Sequence, residues 1–165
     1  MASTYTPIAT TTLGSATPSY TFSSIPSTYT DLILIINGGT AATTNVQLRF
    51  NGDTATNYSS SHLYGDGTSA GSFRYSNATA LQINYYAYPE NAFDWNAICH
   101  IQNYSNSTTY KTAIARANKA SNGVNAAVGL WRSTAAITSV TVRSSDGTTN
   151  FNVGSTFTLY GIQSA

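Results

Sequence analysis

Val46-Gln-Leu-Arg-Phe50, followed at once by Asn51-Gly52, carries the pattern on which the whole chain is built. Apolar Val46, Leu48 and Phe50 alternate with polar Gln47 and Arg49, the period of a strand with one buried face. Asn-Gly then supplies two residues that tolerate positive φ and close a tight turn. The same grammar recurs outward in both directions. Leu81, Ile83 and Tyr85 alternate with Gln82 and Asn84, and Phe157 and Leu159 alternate with Thr156, Thr158 and Tyr160. Val124, Ala126, Val128 and Leu130 form one face of a further long strand. Leu32-Ile-Leu-Ile-Ile36 is continuous and β-branched, which predicts a central strand covered on both faces. Weaker strand signals lie at 5–12, 18–23, 97–103, 109–117 and 136–143.

Turn chemistry separates these runs. Asn37-Gly38-Gly39, Asp66-Gly67, Asn122-Gly123 and Asp146-Gly147 join Asn51-Gly52 as turn candidates, and Asn122-Gly123, between two strong strands, is the best hairpin candidate. No long stretch has helical periodicity. Residues 53–79, rich in Ser, Thr, Asn and Gly, read as one long surface excursion. There is no linker, fixed-period repeat or domain boundary. Eight to ten short strands therefore predict an all-β fold in one domain, residues 1–165. An antiparallel two-sheet sandwich, a jelly roll, is the expectation, with a small closed barrel as the alternative.

Composition narrows the function. Only 8% of the 165 residues are charged, against about 25% in an average soluble domain. The polarity comes instead from 26 Thr, 21 Ser and 15 Asn. With 12% aromatic residues the chain has the means to fold. A net charge of +1 without a basic stripe argues against phosphate-driven nucleic-acid binding. The longest apolar run, residues 32–36, is far too short for a membrane helix. The opening residues lack a basic segment followed by an apolar one, so no export signal is expected and the chain is expected to be made inside a cell without one. So few charges leave edge strands poorly defended, a weakness that neighbouring subunits would cover.

Catalysis has little to work with. The acids are Asp31, Asp53, Asp66, Glu90, Asp94 and Asp146, and no two are spaced as a convincing pair. Cys99 and His100 are neighbours in a strand, so they point to opposite faces and cannot form a dyad. One cysteine excludes an internal disulfide and any multi-cysteine metal site. His62 reads as a solvated loop histidine, and Asp53 and Asp66 as turn residues rather than calcium ligands. No metal, cofactor or enzymatic activity is expected.

The residues left to carry function are aromatic. Tyr85, Tyr86, Tyr88, Phe93 and Trp95 fall within eleven positions. They can be core, subunit interface or a sugar-stacking surface, since Tyr and Trp serve all three. Trp131-Arg132 is a second candidate anchor, with Arg132 pairing to a carboxylate across an interface. If these residues are contacts, Trp95→Ala or Tyr86→Ala lowers binding more than folding.

Five segments carry a resemblance: Met1-Ala-Ser-Thr-Tyr-Thr-Pro-Ile-Ala-Thr-Thr-Thr-Leu-Gly14, Phe22-Ser-Ser-Ile-Pro-Ser-Thr-Tyr-Thr-Asp-Leu32, Leu48-Arg-Phe-Asn-Gly52, Gly129-Leu-Trp-Arg-Ser133 and Gly154-Ser-Thr-Phe-Thr-Leu-Tyr-Gly-Ile162. The chain resembles small structural proteins of tailed bacteriophages, marine and cyanobacterial ones above all. These are packing and turn motifs, and the family offers no catalytic residues to carry over. The resemblance implies a virion component, made in the host cytoplasm, with other capsid or tail proteins as partners. A capsid decoration or cement subunit, acting as a symmetric homo-oligomer such as a trimer, is the first expectation. A tail-fibre or receptor-binding module gripping host glycan is the second, with residues 53–79 and Tyr85–Trp95 as its recognition surface.

Overall fold

The computed structural model describes residues 4–91 and 93–163. Twelve strands follow one another: β1 (Tyr5–Thr12), β2 (Ser19–Phe22), β3 (Asp31–Gly38), β4 (Val46–Phe50), β5 (Tyr58–Gly65), β6 (Ala70–Ala78), β7 (Leu81–Gln82), β8 (Trp95–Gln102), β9 (Lys111–Lys119), β10 (Gly123–Trp131), β11 (Val140–Ser144) and β12 (Thr156–Ile162). Among the described residues there is no helix. All pairings are antiparallel. One sheet has eight strands in the order β1-β12-β3-β8-β9-β10-β5-β6, and the other has four in the order β2-β11-β4-β7.

These orders are those of a jelly roll with two inserted hairpins. In one sheet β1 pairs with β12, β12 with β3 and β3 with β8. In the other β2 pairs with β11, β11 with β4 and β4 with β7. The early and late strands are thus nested, as when a long double ribbon is rolled up, which gives the eight-stranded, two-sheet form. The hairpin β5–β6 interrupts the passage from β4 to β7, and β9–β10 interrupts that from β8 to β11. Both add to the first sheet beyond β8 and widen it from four strands to eight.

The core lies between the sheets. Leu34, Ile36, Trp95, Ala97, Cys99, Phe157 and Leu159 from the large sheet meet Phe22, Val46, Leu48, Phe50, Val140 and Val142 from the small one. The alternation at Val46–Phe50 holds, with Val46, Leu48 and Phe50 all buried. In β3 the continuous apolar run is central, between β12 and β8, but only one of its faces is covered by the second sheet: Leu32, Leu34 and Ile36 face inward, while Ile33 is buried and Ile35 half-buried on the outer face among neighbouring side chains of the same sheet. Asn51 and Gly52 both have positive φ, 54° and 67°. The Asn51 carboxamide then staples this turn to the approach of β11, accepting from the N–H of Thr138 and Ser139 and donating to Ala136.

One expectation is corrected, and one face left open by the alternation is assigned. Residues 53–79 are not one loose excursion, because they contain the regular hairpin β5–β6. Tyr58, Ser60 and His62 point inward and are buried, and the serines between them disguised the alternation. The face Val124, Ala126, Val128 and Leu130 of β10 is the outward one: Val124, Ala126 and Val128 are exposed and Leu130 is half-buried. The inward face carries Asn125, Ala127, Gly129 and Trp131. At Gly129 no side chain fits, because β7 packs closely: a Cβ there would lie 2.3 Å from Leu81 Cδ1.

Three of the four sheet edges are blunted; the fourth, β6, is nine residues long and irregular only where it passes Tyr58 and Ser60. β1 carries Pro7 and a bulge between Pro7 and Ala9. At the edges of the small sheet β2 has four residues and β7 two. Proline, bulges and short strands all discourage edge-to-edge pairing.

Candidate functional site

The small sheet covers only one side of the large one, so the opposite face of the eight strands has no third layer. At about 4.8 Å per strand this wall is roughly 38 Å wide, and strands of eight or nine residues make it roughly 27 Å tall. Cross-strand pairing aligns its side chains in rows, because directly paired residues share a face. One row runs Tyr160, Ile33, His100, Ile114, Val128, Ser61 and Arg74. The next runs Thr158, Ile35, Ile98, Arg116, Ala126, Leu63 and Ser72. Leu63, Val124, Val128 and Ile114 are 68%, 60%, 58% and 49% exposed, and all four stand on this wall. Leu63, Ile114, Ala126 and Val128 line a shallow groove of about 630 Å³ with Arg74 at its rim. Exposed apolar side chains grouped in this way, with polar groups at the rim, are the kind of surface that contact sites use.

The charges around it are unevenly used. The chain has seven lysines and arginines. Five donate within the chain: Arg49 to Thr79, Lys111 to Thr109 and Thr134, Lys119 to Glu90, Arg132 to Thr56 and Asn77, and Arg143 to Gln47. Arg74 and Arg116, both on the wall, have no hydrogen-bond or ion-pair partner among the described residues. All six carboxylates are engaged. Asp31 accepts from the Asn103 N–H and pairs with His100 at 2.8 Å. Asp53 accepts from Ala55, Asn57 and Trp131. Burial alone would raise Asp53, but those hydrogen bonds together hold it below the ordinary carboxylate value. Asp66, exposed at a hairpin tip, is held at about 2 by the N–H groups of Ser69 and Thr68. Asp146 is held low in a similar turn by Thr149 and Thr148 against the opposing effect of burial. Glu90 binds Lys119 and Thr43, and Asp94 binds Ser121.

The aromatic residues singled out in the sequence divide into three groups. Tyr85, Tyr86 and Tyr88 are half-buried and come together with rings from β5 and β6. Phe73 stacks on Tyr85 at 4.3 Å and 4°, and Tyr64 stacks on Tyr86 at 5.3 Å and 16°. Tyr75 meets Tyr85 and His62 edge-on. This cluster covers the inner side of the β5–β6 hairpin. It spends its ring faces largely on one another. Phe93 is exposed and stands apart beside Gly154. Trp95 and Trp131 are 1% and 2% exposed, which corrects their reading as contact residues. The inward parity of β8 and β10 places both in the core, where Trp95 donates to the Ala87 carbonyl and Trp131 packs between Phe50 and Tyr58. Arg132 is half-buried and bound to its own chain, donating to Thr56, Ser59 and Asn77.

A buried polar relay went unnoticed in the sequence. His62 is 1% exposed and not solvated. Its Nε2 lies 2.9 Å from Ser60 Oγ and its Nδ1 lies 3.3 Å from Asn125 Oδ1. Burial lowers the His62 pKa, with Asn125 opposing, so the ring is neutral near pH 7. Nucleophile, base and orienting amide are the parts of a hydrolytic triad. Here all three are buried, and Asn125 also accepts from the Tyr85 N–H. The relay therefore satisfies polar groups under the hairpin. Cys99 lies in the core with its thiol pushed up to about 12 by burial, and His100 is on the outer wall. Among the described residues no three His, Cys, Asp or Glu side chains converge on a metal position. No helix among them is long and apolar enough to cross a membrane.

A scan of protein-family models finds no match to this chain, and a search of curated proteins finds none either. Among solved structures, a human SPRY domain is similar at 11% identity and TM-score 0.36, covering 96% of this chain and 97% of that one. An alginate lyase mutant in complex with alginate tetrasaccharide is similar at 6% identity and TM-score 0.27, covering 94% of this chain and 80% of that one.

Proposed function

We propose that this chain is a non-enzymatic structural subunit of a bacteriophage particle, a capsid decoration or cement protein that docks on its neighbours by the outer wall of the large sheet. The observation that carries the docking is the open wall with exposed Leu63, Ile114, Val124 and Val128. Its extent, roughly 38 by 27 Å, is comparable to the about 800 Å² that each partner contributes to a standard interface. Blunting at β1, β2 and β7 favours association through the sheet face over strand pairing at those three edges. Low charge and abundant Thr, Ser and Asn suit a surface that is largely covered in an assembly. The resemblance to phage structural proteins supplies the setting. The alternative, a receptor-binding module gripping glycan through Tyr85, Tyr86 and Tyr88, receives less support because Tyr85 is stacked on Phe73 and Tyr86 on Tyr64.

Co-sedimentation with particles tests the proposal. The Leu63→Ser/Val128→Ser variant keeps its fold and loses most of its binding. Undiminished binding by a folded double variant contradicts the wall as the docking surface.

A further inference from the structure

The two guanidiniums without partners are not scattered. Arg116 on β9 and Arg74 on β6 stand on opposite sides of the strip formed by Ala126 and Val128 of β10 and Leu63 of β5. Three strand spacings separate them, about 14 Å, with an offset of one same-face row, about 7 Å, along the strands. In solvent an unpaired arginine costs little. Covering the strip removes water from both flanking guanidiniums, and a buried charge without an acceptor is strongly unfavourable. Whatever covers the strip must therefore bring acceptors to its two margins.

We propose that the wall takes a partner polypeptide of a different kind, with an apolar side chain between two carboxylates spaced to reach Arg74 and Arg116. This rests on the docking reading above and specifies its partner. A second copy of this chain suits the strip less well. It would bring two more unpaired arginines, while each of its six carboxylates already accepts hydrogen bonds within its own chain. Two arginines without a wider basic field also do not make a nucleic-acid surface. Planar guanidiniums bind carboxylates in two-point fashion, so acidic side chains rather than carbonyls are the favoured acceptors.

The probe is the pentapeptide Asp-Thr-Leu-Thr-Asp, in which the outer carboxylates and the leucine share one side when extended. Lys-Thr-Leu-Thr-Lys is the control. Each is titrated at millimolar concentration into the isotope-labelled protein at low salt, and amide shifts are followed by NMR. The acidic peptide should shift amides of β5, β9 and β10, with the lysine peptide at least about fivefold weaker. The Arg74→Glu/Arg116→Glu variant, which alters only exposed side chains, should invert the preference. Equal responses to the two peptides, including no response to either, overturn the proposal. So does concentration-dependent dimerisation seen at the same amides without peptide, which would make a second copy the occupant. The titration uses no particle, so its failure leaves the virion reading to stand or fall by co-sedimentation.

Discussion

Replacing Trp131 by Ala separates core from contact more sharply than any other single change. The indole is 2% exposed. It stacks on Tyr58 at 6.2 Å and 16° and meets Phe50 at 5.5 Å. Its Nε1 donates to Asp53 Oδ2 at 2.7 Å. Removing it empties the space between the β10 end of the large sheet and β4 of the small one. Trp→Ala in a core costs about 3–5 kcal/mol as transfer and cavity effects combine. Asp53 keeps Ala55 and Asn57 and is reached by solvent, so the lost N–H adds only at the low end for a charged acceptor, about 1.5 kcal/mol. At about 2–4 °C per kcal/mol for a chain of this size, Tm should fall by about 10 °C or more. Trp131→Phe, which retains a ring, should lose less than half as much. Differential scanning calorimetry with urea titration is the assay. A fall of less than about 3 °C, with particle binding lost, would refute the core assignment and restore Trp131 as a contact residue.

Other outcomes follow from the same structure. Burial holds His62 below the ordinary 6.5 in the fold; as pH falls through 6.5 the unfolded chain takes up its proton first, so stability is full above 6.5 and declines below it. Urea midpoints at pH 7.5 and 5.5 should differ more in the native protein than in His62→Gln, and parallel profiles would contradict the buried ring. Asp66, held at about 2 against 3.8, gives a further decline as pH drops between those values, and Asp66→Asn should remove it. Cys99 should be inert to Ellman's reagent in the folded protein and react fully in denaturant, since its thiol is buried and pushed up to about 12. A fluorophosphonate should leave Ser60 unlabelled in the native protein, and labelling there would turn the Ser60–His62–Asn125 relay into an active site.

The strands were legible where alternation was apolar against polar, as at Val46–Phe50 and Phe157–Leu159, and where a β-branched run stood alone, as at Leu32–Ile36. The jelly roll followed from their number and spacing. β5 was illegible because Ser59, Ser60 and Ser61 carry no difference between faces, although Tyr58, His62 and Tyr64 keep the two-residue spacing that would have revealed it. Alternation also fixes which residues share a face without fixing which face is inward. Hence the apolar side of β10 proved to be the solvent side, and Trp131 on its other side proved to be core. What decides this is long-range: Leu81 presses on Gly129, where no side chain fits. The unpaired state of Arg74 and Arg116 is likewise a property of the assembled sheet, since neither has a local sequence partner to lose.

Cryo-electron microscopy of phage particles assembled with a tagged copy of this chain tests the central claim most directly. The account predicts ordered copies on the capsid with the wall of Leu63, Ile114 and Val128 against a neighbouring protein. Copies bound with that wall facing solvent, or particles that never incorporate the chain, would contradict it.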